Sequence, residues 1–175
     1  STAIRADADA LGDGANILYV GDFNVYTNTD VSFQKLVSAG NGQAFDPVNR
    51  LGSWHSNSSY LNLLTQAPAV SPPSGLTGGG LDDRFDWQMV SGELLDGQGL
   101  DYRLNSYHTF GNNGSVALNG SINASTSTAL SGLSNRTAIL DLLTTVTDHL
   151  PVVADYTFTS GGAPANQAPS GTNKT

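Results

Sequence analysis

Three pairs of side chains in this 175-residue chain have the types and spacing to work on a phosphate ester or a metal ion. They are Asp22 with Asn24, Asp83 with Asp86, and Asp148 with His149. Asp22 and Asn24 close the run Ile17-Leu18-Tyr19-Val20-Gly21-Asp22-Phe23-Asn24. In extended backbone, residues i and i+2 face the same way, so both polar groups look into one site and Phe23 turns back toward the core. An anionic acceptor beside a neutral amide suits a hydrated cation or a phosphoryl group. The competing reading of this short pattern is a strand ending in an Asx turn. Asp86 lies inside Arg84-Phe85-Asp86-Trp87-Gln88-Met89-Val90, where Phe85, Trp87 and Met89 share one face. A carboxylate in a largely buried strand is costly unless something pairs with it, so Asp86 either meets a partner or marks a site. Asp148-His149 precedes Pro151, and taken alone it reads more readily as a turn than as a catalytic pair.

The elements that must position these groups are legible in outline. Residues 2–11 carry Ala, Ile and Leu at helix-compatible spacing and end at Gly12-Asp13-Gly14. A strand over 17–20 then delivers Asp22 and Asn24 at its C-terminal end, where sites in α/β folds gather. Residues 30–37 read as a short helix with Asp30 as N-cap and Phe33, Leu36 and Val37 as its apolar stripe. The segment 45–77 is irregular, with Trp54 and Tyr60 read as packed loop residues and His55 as a loop residue outside the pattern, reach to a substrate being its lesser reading. Gly78-Gly79-Gly80 reads as a flexible approach to the strand over 84–90, and 100–107 as an edge strand. Residues 111–134 form a polar Gly/Asn/Ser loop in which His108, just before it, is a loop or core histidine. A short amphipathic helix over 136–143 leads to Asp148-His149 and a final strand over 152–158. The division is one domain over 1–159 and a flexible Gly- and Pro-rich linker or tail over 160–175.

Composition narrows the classes of function. Seven basic and fifteen acidic residues leave a net charge of −8, which argues against broad electrostatic binding to nucleic acid. A divalent cation can still supply local positive charge, so a nuclease is compatible with it. The absence of cysteine rules out disulfides and thiolate metal sites. No stretch reaches the roughly 18 apolar residues of a membrane span. Few lysines with abundant Asn, Thr, Gly and Ser suit a secreted or cell-surface bacterial protein. Ser1-Thr2-Ala3-Ile4-Arg5-Ala6 reads like the middle of a helix, as in a chain cut from a longer one.

Together the three clusters, as Gly21-Asp22-Phe23-Asn24, Arg84-Phe85-Asp86-Trp87 and Thr147-Asp148-His149-Leu150-Pro151-Val152, resemble the signatures of the endonuclease/exonuclease/phosphatase superfamily. Thr147 replaces the common Ser and keeps the hydroxyl. The resemblance spans about residues 2–158 but covers only the second half of the family's domain. It implies an α+β sandwich of the deoxyribonuclease I-like four-layer α/β/β/α type, to which this chain contributes about one sheet and its outer helices.

The resemblance also implies divalent-metal-dependent phosphodiester hydrolysis, with a secreted nuclease the leading form. His149 then engages the scissile phosphate as general base or transition-state stabiliser, and Asp86, or Asp83 in its place, orients the imidazole as in hydrolase triads. Asp22 positions or activates water, Asn24 donates to phosphate oxygens, and Asp148 with Asp22 contributes to a Mg²⁺ site that Mn²⁺ can fill. The implied partners are nucleic acid or another phosphodiester and the missing N-terminal half of the domain, in the same or a second chain. Without that half the fragment is expected to be inactive, with apolar sheet surface uncovered. Other readings are a phosphatase or phospholipid phosphodiesterase on the same fold, and a non-catalytic adhesion or scaffold module of a large bacterial surface protein.

Overall fold

The computed structural model describes residues 1–159; the segment 160–175, read as a linker, lies outside the described residues. Its regular elements are α1 (Thr2–Ala10), β1 (Leu18–Asp22), α2 (Val31–Val37), β2 (Asp86–Val90), β3 (Gly99–Tyr102), β4 (His108–Thr109), α3 (Arg136–Val146), β5 (Val152–Val153) and β6 (Tyr156–Thr159). Two 3-10 turns, Ser58–Leu63 and Gly92–Leu94, interrupt the loops. Helices beside antiparallel strands make this an α+β chain. The strands lie in three two-stranded ladders, β1–β2, β3–β6 and β4–β5, rather than in one continuous sheet.

The longest ladder is the one the chemistry depends on. Its register runs from Leu18 opposite Val90 to Asp22 opposite Asp86. β1 begins and ends later than the apolar run suggests, carrying Gly21 and Asp22 within it. Trp87 and Met89 are buried on one face of β2, and Phe85 just before it is buried too, as the alternation demands. Trp87 and Met89 join Phe33 and Leu36 of α2 and Trp54 in the principal core, where the Trp54 and Trp87 rings meet edge-on at 4.8 Å. Two further clusters form around Leu64, Leu81, Ile122, Leu140 and Leu150, and around Leu63, Tyr102 and Tyr107. Tyr60 packs against all three clusters, and Trp54 is fully buried, so both are packed loop residues.

Several expectations change in detail. Helix α1 buries Arg5 and Ala8 and leaves Ile4 and Leu11 exposed. The Arg5 guanidinium donates to the carbonyls of Lys35, Leu36 and Ser38, satisfying the free C-terminal carbonyls of α2. Asp30 occupies the N-cap position of α2 but accepts from Tyr26 N and Thr27 N, upstream of the helix. Gly80 is a tight contact rather than a flexible approach: its φ is +82°, and a Cβ there would collide with the Asn119 carbonyl. The edge strand is only Gly99–Tyr102, and the final strand is two, because Ala154 and Asp155 break it between β5 and β6. Helix α3 runs three residues past the expected end, to Val146.

Candidate functional site

At the centre is an imidazole held by a carboxylate. His149 Nδ1 lies 2.8 Å from Asp86 Oδ2, with both side chains about three-quarters buried or more. A carboxylate only accepts, so Nδ1 carries the hydrogen and the lone pair of the neutral ring falls on Nε2. That nitrogen meets the Gln66 side-chain amide at 2.6 Å. The choice left open between Asp83 and Asp86 is thereby settled, since Asp83 bonds another histidine: His55 Nδ1 lies 2.7 Å from Asp83 Oδ1. His108 is exposed on β4, with Nδ1 2.8 Å from Ser106 O.

The fold converges on this pair through a segment that carries no motif. Buried Thr65 accepts through Oγ1 from Phe85 N and Asp86 N, at 3.0 and 3.1 Å. Its own N–H donates to Asp83 O, and its carbonyl accepts from Leu150 N. One residue thus fastens the Asp83–Asp86 stretch to the chain just after His149. Gln66 continues the link, its carbonyl accepting from Asp82 N and Asp83 N. Thr147 closes the histidine turn, with Oγ1 accepting from His149 N and donating to His149 O. The hydroxyl that Thr keeps in place of Ser is therefore used. Beneath the site, Arg84 is fully buried and bidentate to Asp46, both contacts at 2.9 Å, with its guanidinium carbon 3.4 Å from the Trp87 ring centroid. Neither Thr65, Gln66 nor Asp46 was singled out by sequence. Thr65-Gln66 sits in a polar-apolar loop with no periodicity, and Asp46-Pro47 looks like an ordinary turn.

Asp22 stands directly opposite Asp86 in the ladder, and such partners project from the same face. Asn24 does not share that alternation. It lies beyond β1 at φ 51°, and its N–H donates to Asp22 Oδ1 at 2.9 Å. The pair forms an Asx turn, which brings Asn24 beside Asp22 through the backbone rather than by side-chain alternation. Phe23 packs against the principal core. Asp148 Oδ2 accepts from Thr77 N at 2.9 Å, and this bond holds its carboxyl below the ordinary range.

As cation ligands, Asp22 and Asp148 offer hard oxygens of the kind Mg²⁺ takes, each with one oxygen already engaged. Among the described residues they do not converge with a third His, Asp or Glu. The group that does is His55, Asp82 and Asp83, whose ligand atoms all lie within 4.8 Å of one another. Burial, then the neighbouring Asp83 carboxylate, raises the Asp82 carboxyl above its usual range.

An α+β chain with a His–Asp pair at the end of an antiparallel ladder is as far as fold and geometry define its class. Compared with protein-family models, curated proteins and solved structures, the chain matches none of them.

Proposed function

We propose that this chain carries the phosphate-engaging part of a divalent-metal-dependent phosphodiesterase, a secreted or cell-surface nuclease of the endonuclease/exonuclease/phosphatase superfamily. The observation that carries the reading is the 2.8 Å bond between His149 Nδ1 and Asp86, with Asp22 opposite Asp86 on the same ladder. The motif residues are distant in sequence, and their meeting in space is what a shared task requires. Asp86 fixes the tautomer and orientation of the ring, which leaves Nε2 as its working atom. From there His149 either takes a proton from the attacking water or, once protonated, donates to a phosphoryl oxygen in the transition state. Gln66 stands at that atom, so it yields to the substrate or contacts it. Asp22 orients the water, and Asn24, fixed by its turn, donates to a phosphate oxygen. Mg²⁺ or Mn²⁺, held by Asp22 and Asp148 with ligands from outside the described residues, would polarise the phosphoryl group when bound.

A further part of the same domain is the proposed partner. β1 pairs only with β2 among the described residues, so its other edge is open. Leu18 and Val20 on that strand, with Ile4 of α1 and Leu11 just after it, are 45–66% exposed. An open edge beside apolar surface suits coverage by more of the sandwich. No described helix is long and apolar enough to cross a membrane.

The test is hydrolysis of plasmid DNA and bis-p-nitrophenyl phosphate with Mg²⁺, by this chain and by its intact parent. Activity is expected in the parent, abolished by EDTA and reduced to less than about a tenth by His149→Ala with folding retained. A His149→Ala parent that keeps more turnover than that removes the histidine from the mechanism. An inactive, well-folded parent favours a non-catalytic module.

A further inference from the structure

We propose that His55, Asp82 and Asp83 form a second metal site, separate from Asp22 and Asp148, that takes a first-row transition ion such as Zn²⁺ or Mn²⁺. The three ligand atoms converge within 4.8 Å, and they come from two loops more than twenty residues apart in sequence. The Asp83 side chain is only 9% exposed and is bonded at 2.7 Å to the His55 ring, itself 47% exposed. A second carboxylate, Asp82, adjoins it and accepts from no donor outside the cluster among the described residues. Two adjoining carboxylates facing an imidazole nitrogen, with no cationic side chain between them, are costly unless a cation or a proton sits among them.

The surroundings hold the ligands in place. Without an ion, His55 Nδ1 donates to Asp83 and Nε2 lies 3.3 Å from Ser56 Oγ; an ion taken up at Nδ1 displaces the hydrogen bond to Asp83 and shifts the ring hydrogen to Nε2. With the ion bound, Ser56 Oγ is the acceptor for the Nε2 hydrogen, the outer bond that metal-bound histidines make. The Tyr26 ring packs edge-on against the imidazole at 5.0 Å and limits its rotation. Ser56 N donates to Asp82 O, tying the two ligand loops together, and Gln66 accepts from the N–H groups of both aspartates. One imidazole and two carboxylates make a mixed nitrogen and oxygen set with open positions for water. Zn²⁺ and Mn²⁺ accept such a set, whereas Mg²⁺ prefers oxygen alone. Because the backbone of Asp82 and Asp83 holds Gln66, an ion here would also stiffen the strand approach beside His149.

Calorimetric titration of the 175-residue chain with Zn²⁺ tests this, alongside the His55→Ala, His55→Gln, Asp82→Asn and His149→Ala variants. Circular dichroism would check that each is folded. The expected result is one equivalent bound, weakened roughly tenfold or more by the His55 and Asp82 changes and kept in His149→Ala. Histidine ring NMR signals should show His55 shifting first. Binding that survives the His55 and Asp82 changes overturns the site, as does no binding up to about 1 mM ion. An equal loss in His149→Ala would mean that the ion sits at the other histidine. None of these readouts depends on phosphodiesterase activity, so the site can fail while the proposed function stands, and the reverse.

Discussion

His149 can be a catalytic group only if its ring is held in one orientation, and a single carboxylate does the holding. Asp86→Asn keeps the size of that side chain but allows the amide to donate where the carboxylate only accepts, which favours the opposite tautomer of the ring. For the phosphodiesterase proposed above, kcat is expected to fall on the order of 10²- to 10⁴-fold with KM nearly unchanged. Steady-state kinetics on bis-p-nitrophenyl phosphate would show it, and an unchanged kcat would reduce the pair to a structural contact. Arg84 belongs to the same motif and does something different. It is buried, doubly bonded to Asp46 and stacked on Trp87, so it supports the ladder and does not face a substrate. Arg84→Met would leave the Asp46 carboxylate without its cation in the core. The expected cost is about 3–5 kcal/mol, read as a lower urea midpoint.

At the scale of elements, the site depends on a loop residue as much as on the strands. Thr65→Val keeps the shape and removes the acceptor for Phe85 N and Asp86 N, both buried near the start of β2. About 1–3 kcal/mol of stability should be lost, and the parent's activity should fall with it, because the Asp86 backbone is no longer pinned. A denaturation midpoint that does not move would show that those N–H groups find another partner. The contrast with what could be read from sequence is instructive here. The alternation of Phe85, Trp87 and Met89 places the buried face of β2 correctly, whereas the burial of Asp86 says only that it needs a partner; its pairing with His149, with Asp83 as the alternative, is implied by the family resemblance alone. Asn24 was misplaced because φ/ψ at a strand end is set by the local Asx bond, which competes with continued extension. Helix α1 was read by its apolar residues, but the buried position is taken by Arg5, whose long side chain reaches carbonyls on α2 that only the tertiary fold brings near. Thr65 and Gln66 were illegible for the same reason: their roles are backbone contacts to segments distant in the chain.

For the molecule as a whole, the three core clusters share Tyr60, while β3, β5 and β6 rest on a group of tyrosines whose ionisation couples stability to pH. Tyr156 on β6 packs edge-on against Tyr102 at 6.0 Å and donates to Gln88 Oε1 at 3.2 Å. Burial, reinforced by Tyr102 and Tyr107, pushes its phenol up from 10.0 to about 12. Burial also raises Tyr107, which lies in the same cluster. The folded state thus holds these protons more tightly than the unfolded chain does. The associated stability is fully present below the unfolded value of about 10 and is lost as pH rises toward 12. Urea midpoints should therefore be flat with respect to tyrosine ionisation between pH 7 and 9 and fall steeply above pH 10. The ionisation of Tyr107 and Tyr156 should accompany unfolding rather than precede it. Tyr156→Phe removes one titrating group and keeps the ring packing, so its alkaline decline should be shallower than that of the wild type, at the cost near neutral pH of one partly buried hydrogen bond. If the folded protein ionises Tyr107 and Tyr156 near pH 10 and stays folded, the β3–β6 ladder is open to water and does not close the third core cluster.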